Sequence, residues 1–166
     1  MCAENTFVKW SDEVNRVRAR RGRGLNKLRT YKLFKSEYKT EPYVLRVMGK
    51  CQRRALALFR MGVAPIRLET GRYERGQYLP VDERICYMCD KNAVESEMHV
   101  ILECPLYKVP REDLFHQCSM VMPNFAEMSS EQKLCFILGS ECICQNSANF
   151  LKDVLRRRRL FMYNTG

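Results

Sequence analysis

Apolar residues recur at spacings of three and four along most of this chain, which is the period of a helix with one buried face. Leu28, Tyr31, Phe34 and Tyr38 share one such face, and Asn26 stands where a helix cap belongs. The pattern predicts a helix to about Lys39, closed by Pro42, which has no amide to continue it. Leu45, Met48, Ala55, Leu58, Phe59 and Met61 predict a second helix over 44–61, with Gly62 as its stop. Residues 63–85 carry Pro65, Gly71, Gly76 and Pro80 and little periodicity, so they are expected to form a connector with a bend or two.

The second half is patterned again. Pro110 suits a first helical turn, with Leu114, Phe115 and Cys118 turned inward before about Met120. Ser129 and Gln132 have the spacing of a capping box ahead of Leu134, Cys135, Ile137 and Leu138, and Gly139 ends that run. Phe150, Leu151, Val154, Leu155, Phe161 and Met162 predict a final helix over 146–163. Arg156 to Arg159 fall near its end, where cations complement the helix dipole. The expected fold class is therefore all-α, a small helical domain with one irregular insert. Its parts are a basic arm (1–24), a basic helical segment (25–62), the connector (63–85), the insert (86–104) and the C-terminal helices (105–166).

The insert is where the chemistry lies. Cys86, Cys89, His99 and Cys104 follow the spacing C-x2-C-x9-H-x4-C. Two cysteines two residues apart can chelate one ion from a tight turn. Thiolate and imidazole are the donors that zinc prefers in a closed tetrahedral set. Four ligands leave no open position for water, so the expected Zn2+ site is a structural knuckle, not a catalytic one. Glu95 and Glu97 suit a helix start before His99, and Met98, Val100, Ile101 and Leu102 are expected to pack against Tyr87 and Met88. Cys142 and Cys144 have one residue between them, a poor spacing for chelation, and are expected to be core or surface thiols. His116 is expected on an outer helix face.

The chain has nine cysteines and no secretory-type apolar segment near its start. No run of about 18 apolar residues is present to span a membrane. These features point to a reducing, intracellular setting, with the nucleus and the cytoplasm both open.

Charge adds a partner. The net charge is +10, and it is unevenly placed. Residues 1–60 hold 16 Lys/Arg against 5 Asp/Glu, whereas residues 61–166 hold 13 against 14. The excess suits a polyanion, RNA or DNA above all, with a solvated basic surface and an anionic membrane face as the alternatives. Candidate contacts are Arg18, Arg20, Arg21, Lys32, Lys35, Arg53 and Arg54, with the aromatics Tyr31, Phe34 and Tyr38 beside them for base stacking. No recognition-helix signature appears, so single strands or structured RNA are favoured over sequence-read duplex. No catalytic constellation of nucleophile, base and orienting group is recognisable, so no enzyme is expected.

Several stretches resemble a known family. ALALFRMGVAPIRLETGRYE, ERICYMC, ESEMHVILECPLY and REDLF are similar to the zinc-binding region downstream of the reverse transcriptase domain in non-LTR retrotransposons. Gly71-Arg72-Tyr73, Arg84-Ile85-Cys86, Glu97-Met98-His99 and Cys104-Pro105-Leu106-Tyr107 carry the likeness, which extends over roughly residues 25–162. The resemblance implies metal ligation by Cys86, Cys89, His99 and Cys104, and a role in handling nucleic acid. The polymerase aspartate pair of the Tyr-x-Asp-Asp type is missing from this sequence. A structural or protein-binding domain, docking through the C-terminal helix, is the alternative, as is a relic with no retained role.

Overall fold

The computed structural model describes residues 28–74 and 76–165. These residues are mostly helical, with one two-stranded sheet. In chain order they form α1 (Pro42–Leu45), α2 (Lys50–Arg60), α3 (Arg67–Thr70), a hairpin of β1 (Tyr73–Glu74) and β2 (Gln77–Tyr78), α4 (Lys108–Val121), α5 (Ser130–Gly139) and α6 (Cys144–Thr165). A π-helical turn covers His99–Glu103, and single 3-10 turns cover Tyr31–Leu33, Pro105–Tyr107 and Phe125–Glu127.

α6 is the central element and packs on α2, α4 and α5. Ala148, Leu151 and Val154 recur every three residues on its inner face and are fully buried. α2 answers with Ala55, Leu56 and Phe59. Leu114 and Cys118 of α4 and Leu134, Ile137 and Leu138 of α5 complete the core. The α5 start is the expected capping box: Ser129 Oγ accepts from the Gln132 amide at 3.2 Å, and Gln132 Oε1 accepts from the Ser129 amide at 2.9 Å. α2 stops at Gly62, whose φ of +68° is a left-handed conformation that costs glycine little.

The first third departs from expectation. In place of a helix to Lys39 there is one 3-10 turn, and the predicted cap at Asn26 lies outside the described residues. Tertiary contacts override the periodicity here. Tyr31 OH donates to Glu41 at 2.8 Å, and Phe34 packs against the Arg60 guanidinium, 4.4 Å from the ring centre. The second helix begins at Lys50 and not at 44, because Arg46 and Gly49 are extended. Leu45 consequently faces solvent, 77% exposed, while Met48 is buried.

The connector is also more ordered than a bend. It holds α3 and the hairpin, with Tyr73 paired to Tyr78 and Glu74 to Gln77. Gly71 fits here for lack of a side chain. A Cβ would lie 2.6 Å from the Arg67 carbonyl oxygen and 3.3 Å from Arg84 Cγ. The final stripe is buried only in its first half. Phe150, Leu151 and Val154 enter the core, whereas Met162 is exposed.

Candidate metal centre

The knuckle is built on two short pieces of chain. Ile85 and Val94 form an isolated antiparallel bridge, and the Cys86 amide donates to the Ala93 carbonyl at 2.8 Å. This closes a loop that carries Cys86 and Cys89 on one side. Asn92 turns the loop with φ of +48°, a conformation that asparagine tolerates. The returning chain then winds one π-helical turn from His99. The Cys104 amide donates to the His99 carbonyl at 2.7 Å, which draws the last two donors together.

The ligand atoms of Cys86, Cys89, His99 and Cys104 all lie within 4.8 Å of one another. Cys89 Sγ is 3.4 Å from His99 Nε2. A tetrahedral ion with bonds of about 2.0–2.3 Å sets its ligand atoms about 3.5–3.8 Å apart, so this spacing fits one ion. Three of the four residues are buried and Cys89 is half-buried. These four side chains therefore form a group that can hold a metal ion.

The proton affinities of these side chains follow from the same arrangement. The hydrogen bond with Cys104 pushes the Cys86 thiol up to about 12, with burial adding to it. The same bond lowers the Cys104 thiol, against burial. The shared bond thus favours the proton on Cys86 over Cys104. The His99 pKa is raised, first by its hydrogen bond with Cys86, against burial. His99 Nδ1 is buried without a hydrogen bond, and Glu103 Oε2 stands 3.5 Å away as its nearest ionic partner. A carboxylate in that place can orient a ligating imidazole.

Around the four donors lies a shell of charge and packing that spacing did not reveal. Glu95 is 1% exposed, and its carboxylate accepts from the Arg67 amide at 2.6 Å and from Arg158 Nε and Nη2 at 2.8 and 3.0 Å. Glu97 accepts from Arg29 at 2.5 Å. Glu97 begins the helical stretch, whereas Glu95 lies in the extended chain before it, and each is half of an ion pair. Arg84 is buried and donates to the carbonyls of Leu68 and Leu79 at 2.7 Å. It fastens the hairpin to the knuckle. Arg111 donates to the Cys104 carbonyl at 2.9 Å, and Tyr107 OH reaches Met88 Sδ at 3.4 Å. Val100, Ile101 and Met88 join the core as expected, but Tyr87 does not. It is 56% exposed and lies under the Arg67 guanidinium, 3.6 Å from its ring centre.

The candidate nucleic-acid contacts are scattered. Arg18, Arg20 and Arg21 lie outside the described residues. Lys32 and Arg54 are exposed. Lys35 is turned inward instead, with its ammonium 2.6 Å from Glu41 and its side chain 7% exposed. Arg53 donates to the carbonyls of Arg46 and Met48, so its guanidinium is partly used within the fold. Of the other sulfur and imidazole groups, Cys144 is buried, Cys142 is exposed and His116 sits on the outer face of α4. No helix among the described residues is long and apolar enough to cross a membrane. Compared with known protein families, curated proteins and solved structures, the chain matches none.

Proposed function

We propose that this chain is a zinc-stabilised nucleic-acid-binding module, of the kind that accompanies reverse transcriptases in non-LTR retrotransposons. The observation that carries the reading is the convergence of Cys86, Cys89, His99 and Cys104, in chemistry and spacing, on one point inside the fold. Three thiolates and an imidazole favour zinc over harder cations such as Mg2+ or Ca2+. When bound, the ion would cross-link residues 86–89 to 99–104 and supply folding energy. All four positions are taken by protein, so its role would be structural. The knuckle would then hold α3, the hairpin and the end of α6 in one piece, through Arg84 and Arg158.

The basic first third supplies the affinity for a polyanion in this reading. Its test is fluorescence anisotropy of a labelled single-stranded RNA at rising salt. Binding that weakens steeply from 50 to 200 mM salt supports the reading. Binding that does not respond to salt, or no binding, removes it.

A second reading is a protein-interaction domain in which the metal only holds the fold. Leu160, Met162 and Tyr163 at the end of α6 favour it, because they stay 49%, 41% and 84% exposed. Oligomerisation in light scattering without RNA binding would select it.

A further inference from the structure

A groove of about 640 Å3 runs between α2 and α6, and none of the four candidate metal ligands lines it. Its rim carries Arg54, Lys152, Arg156, Arg158 and Arg159, and no carboxylate among the described residues lines it. Two of these cations are already occupied: Arg156 by Asp153 at 2.8 Å, and Arg158 by Glu95. The other three are exposed and have no ion-pair partner among the described residues. Lys152, Arg156 and Arg159 follow one another at four and three residues, so they share one face of α6. The row is about 10 Å long, from seven residues at about 1.5 Å each. Asp153 neutralises Arg156 in the middle of the row, so Lys152 and Arg159 are the charges left to meet a multiply charged anion.

The walls of the groove are apolar. Leu58 of α2 and Leu155 and Met162 of α6 line it. The combination selects among polyanions. A duplex stacks its bases inside and turns phosphates, sugars and base edges outward, so it offers no base face to an apolar wall. A single strand exposes base faces that lose water favourably against such a surface, while its phosphates meet the rim. An anionic lipid surface is broad and flat and does not follow a cleft between two helices.

We infer that the α2–α6 groove is the seat of single-stranded nucleic acid, with phosphates on Arg54, Lys152 and Arg159 and bases against Leu58, Leu155 and Met162. This deepens the proposed function and rests on it. It also moves the contact surface. Only Arg54 belongs to the set that charge along the sequence selects, and the other two cations come from the last helix.

Cys51 lines the same groove and is exposed, which makes it a built-in reporter of occupancy. The experiment uses the full chain with zinc and a fluorescein-labelled 20-nucleotide polyuridine RNA. Two variants are compared, each losing three charges: Arg54→Gln/Lys152→Gln/Arg159→Gln, and Arg18→Gln/Arg20→Gln/Arg21→Gln. Circular dichroism checks that both keep their helices. The groove variant is expected to bind at least about tenfold more weakly, with a log–log salt slope shallower by about two, because each phosphate neutralised on a single strand contributes about 0.7 to that slope. Saturating RNA is expected to slow alkylation of Cys51 by iodoacetamide and to leave Cys142 unchanged. If wild type binds RNA but the groove variant binds equally well, or Cys51 is not protected, the groove assignment fails and the nucleic-acid reading stands. Absence of RNA binding by wild type overturns both. Equal affinity for a hairpin duplex, or capture by phosphatidylserine vesicles without RNA binding, also overturns the single-strand assignment.

Discussion

Arg158 and Glu95 are 63 residues apart in sequence and meet in a two-pronged ion pair, at 2.8 and 3.0 Å, between the last helix and the knuckle. The carboxylate is 1% exposed and the guanidinium 15%. Glu95 has no water to fall back on, and Arg158 has little. Removing one partner strands the other, which typically costs about 3–5 kcal/mol for a buried pair. We predict that Arg158→Met lowers stability by an amount in that range, read as a drop in the urea midpoint. A double-mutant cycle with Glu95→Gln should show strong non-additivity. Additive losses under about 1 kcal/mol each, the range of an exposed pair, would show that the two are not coupled.

Glu41 ties together the first third. It accepts from Tyr31, meets Lys35 at 2.6 Å and pairs with Arg60. Burial alone would raise its pKa, but the hydrogen bond from Lys35, the Arg60 charge and the Tyr31 hydroxyl together outweigh burial and lower it. A lowered folded pKa contributes stability that is present above the unfolded value, near about 4.3, and is lost as pH falls through the folded value. Wild type should therefore lose urea resistance below about pH 4.3 more steeply than Glu41→Gln does. Parallel pH profiles for the two proteins would refute the assignment.

Gly71 tests the packing beneath the hairpin. An added Cβ meets backbone at 2.6 Å, and a carbonyl oxygen in a short helix has little room to retreat. Gly71→Ala should destabilise by about 1–3 kcal/mol, the usual cost of overpacking. Gly76→Ala is the contrast, because nothing lies within 4 Å of its Cβ position and only the φ of +79° opposes it. A smaller loss is expected there. Thermal unfolding of both variants decides this, and a harmless Gly71→Ala would contradict it.

Metal uptake should release protons. The hydrogen bond with Cys104, with burial adding to it, pushes the Cys86 thiol up to about 12, and zinc binds the thiolate. Stopped-flow mixing with zinc in a weak buffer with a pH dye should show acidification. Cys86→Ser should release fewer protons and bind far more weakly. An uptake that leaves pH unchanged would mean that the thiols are not the ligands.

The chain announces its four candidate metal donors and its later helices because both are local signals. Ligands spaced C-x2-C-x9-H-x4-C need only a short loop to converge. The Ser129–Gln132 box and the α6 stripe are set by near neighbours. Tertiary partners decide what was not legible. The spacing of Tyr31, Phe34 and Tyr38 favours a helix, but Glu41 and Arg60 pull Tyr31 and Phe34 into irregular chain. The Arg156–Arg159 run has the look of a dipole complement near a helix end. The helix runs on to Thr165, and Arg158 turns inward to an acid that only folding brings near. Lys35 has the charge that a phosphate contact needs, and Glu41 takes it up. The basic groove is hidden in the sequence for the same reason, since Arg54 and Lys152 lie on helices far apart along the chain.

The reading stands or falls on one zinc ion, held by Cys86, Cys89, His99 and Cys104, that maintains this fold. Its test is native mass spectrometry of the purified chain, beside a His99→Ala/Cys104→Ser variant and a chelator-treated sample. One zinc per wild-type chain is expected, with none in the variant and loss of helical circular dichroism whenever the metal is gone. A metal-free wild type whose helices survive chelation unchanged would contradict it.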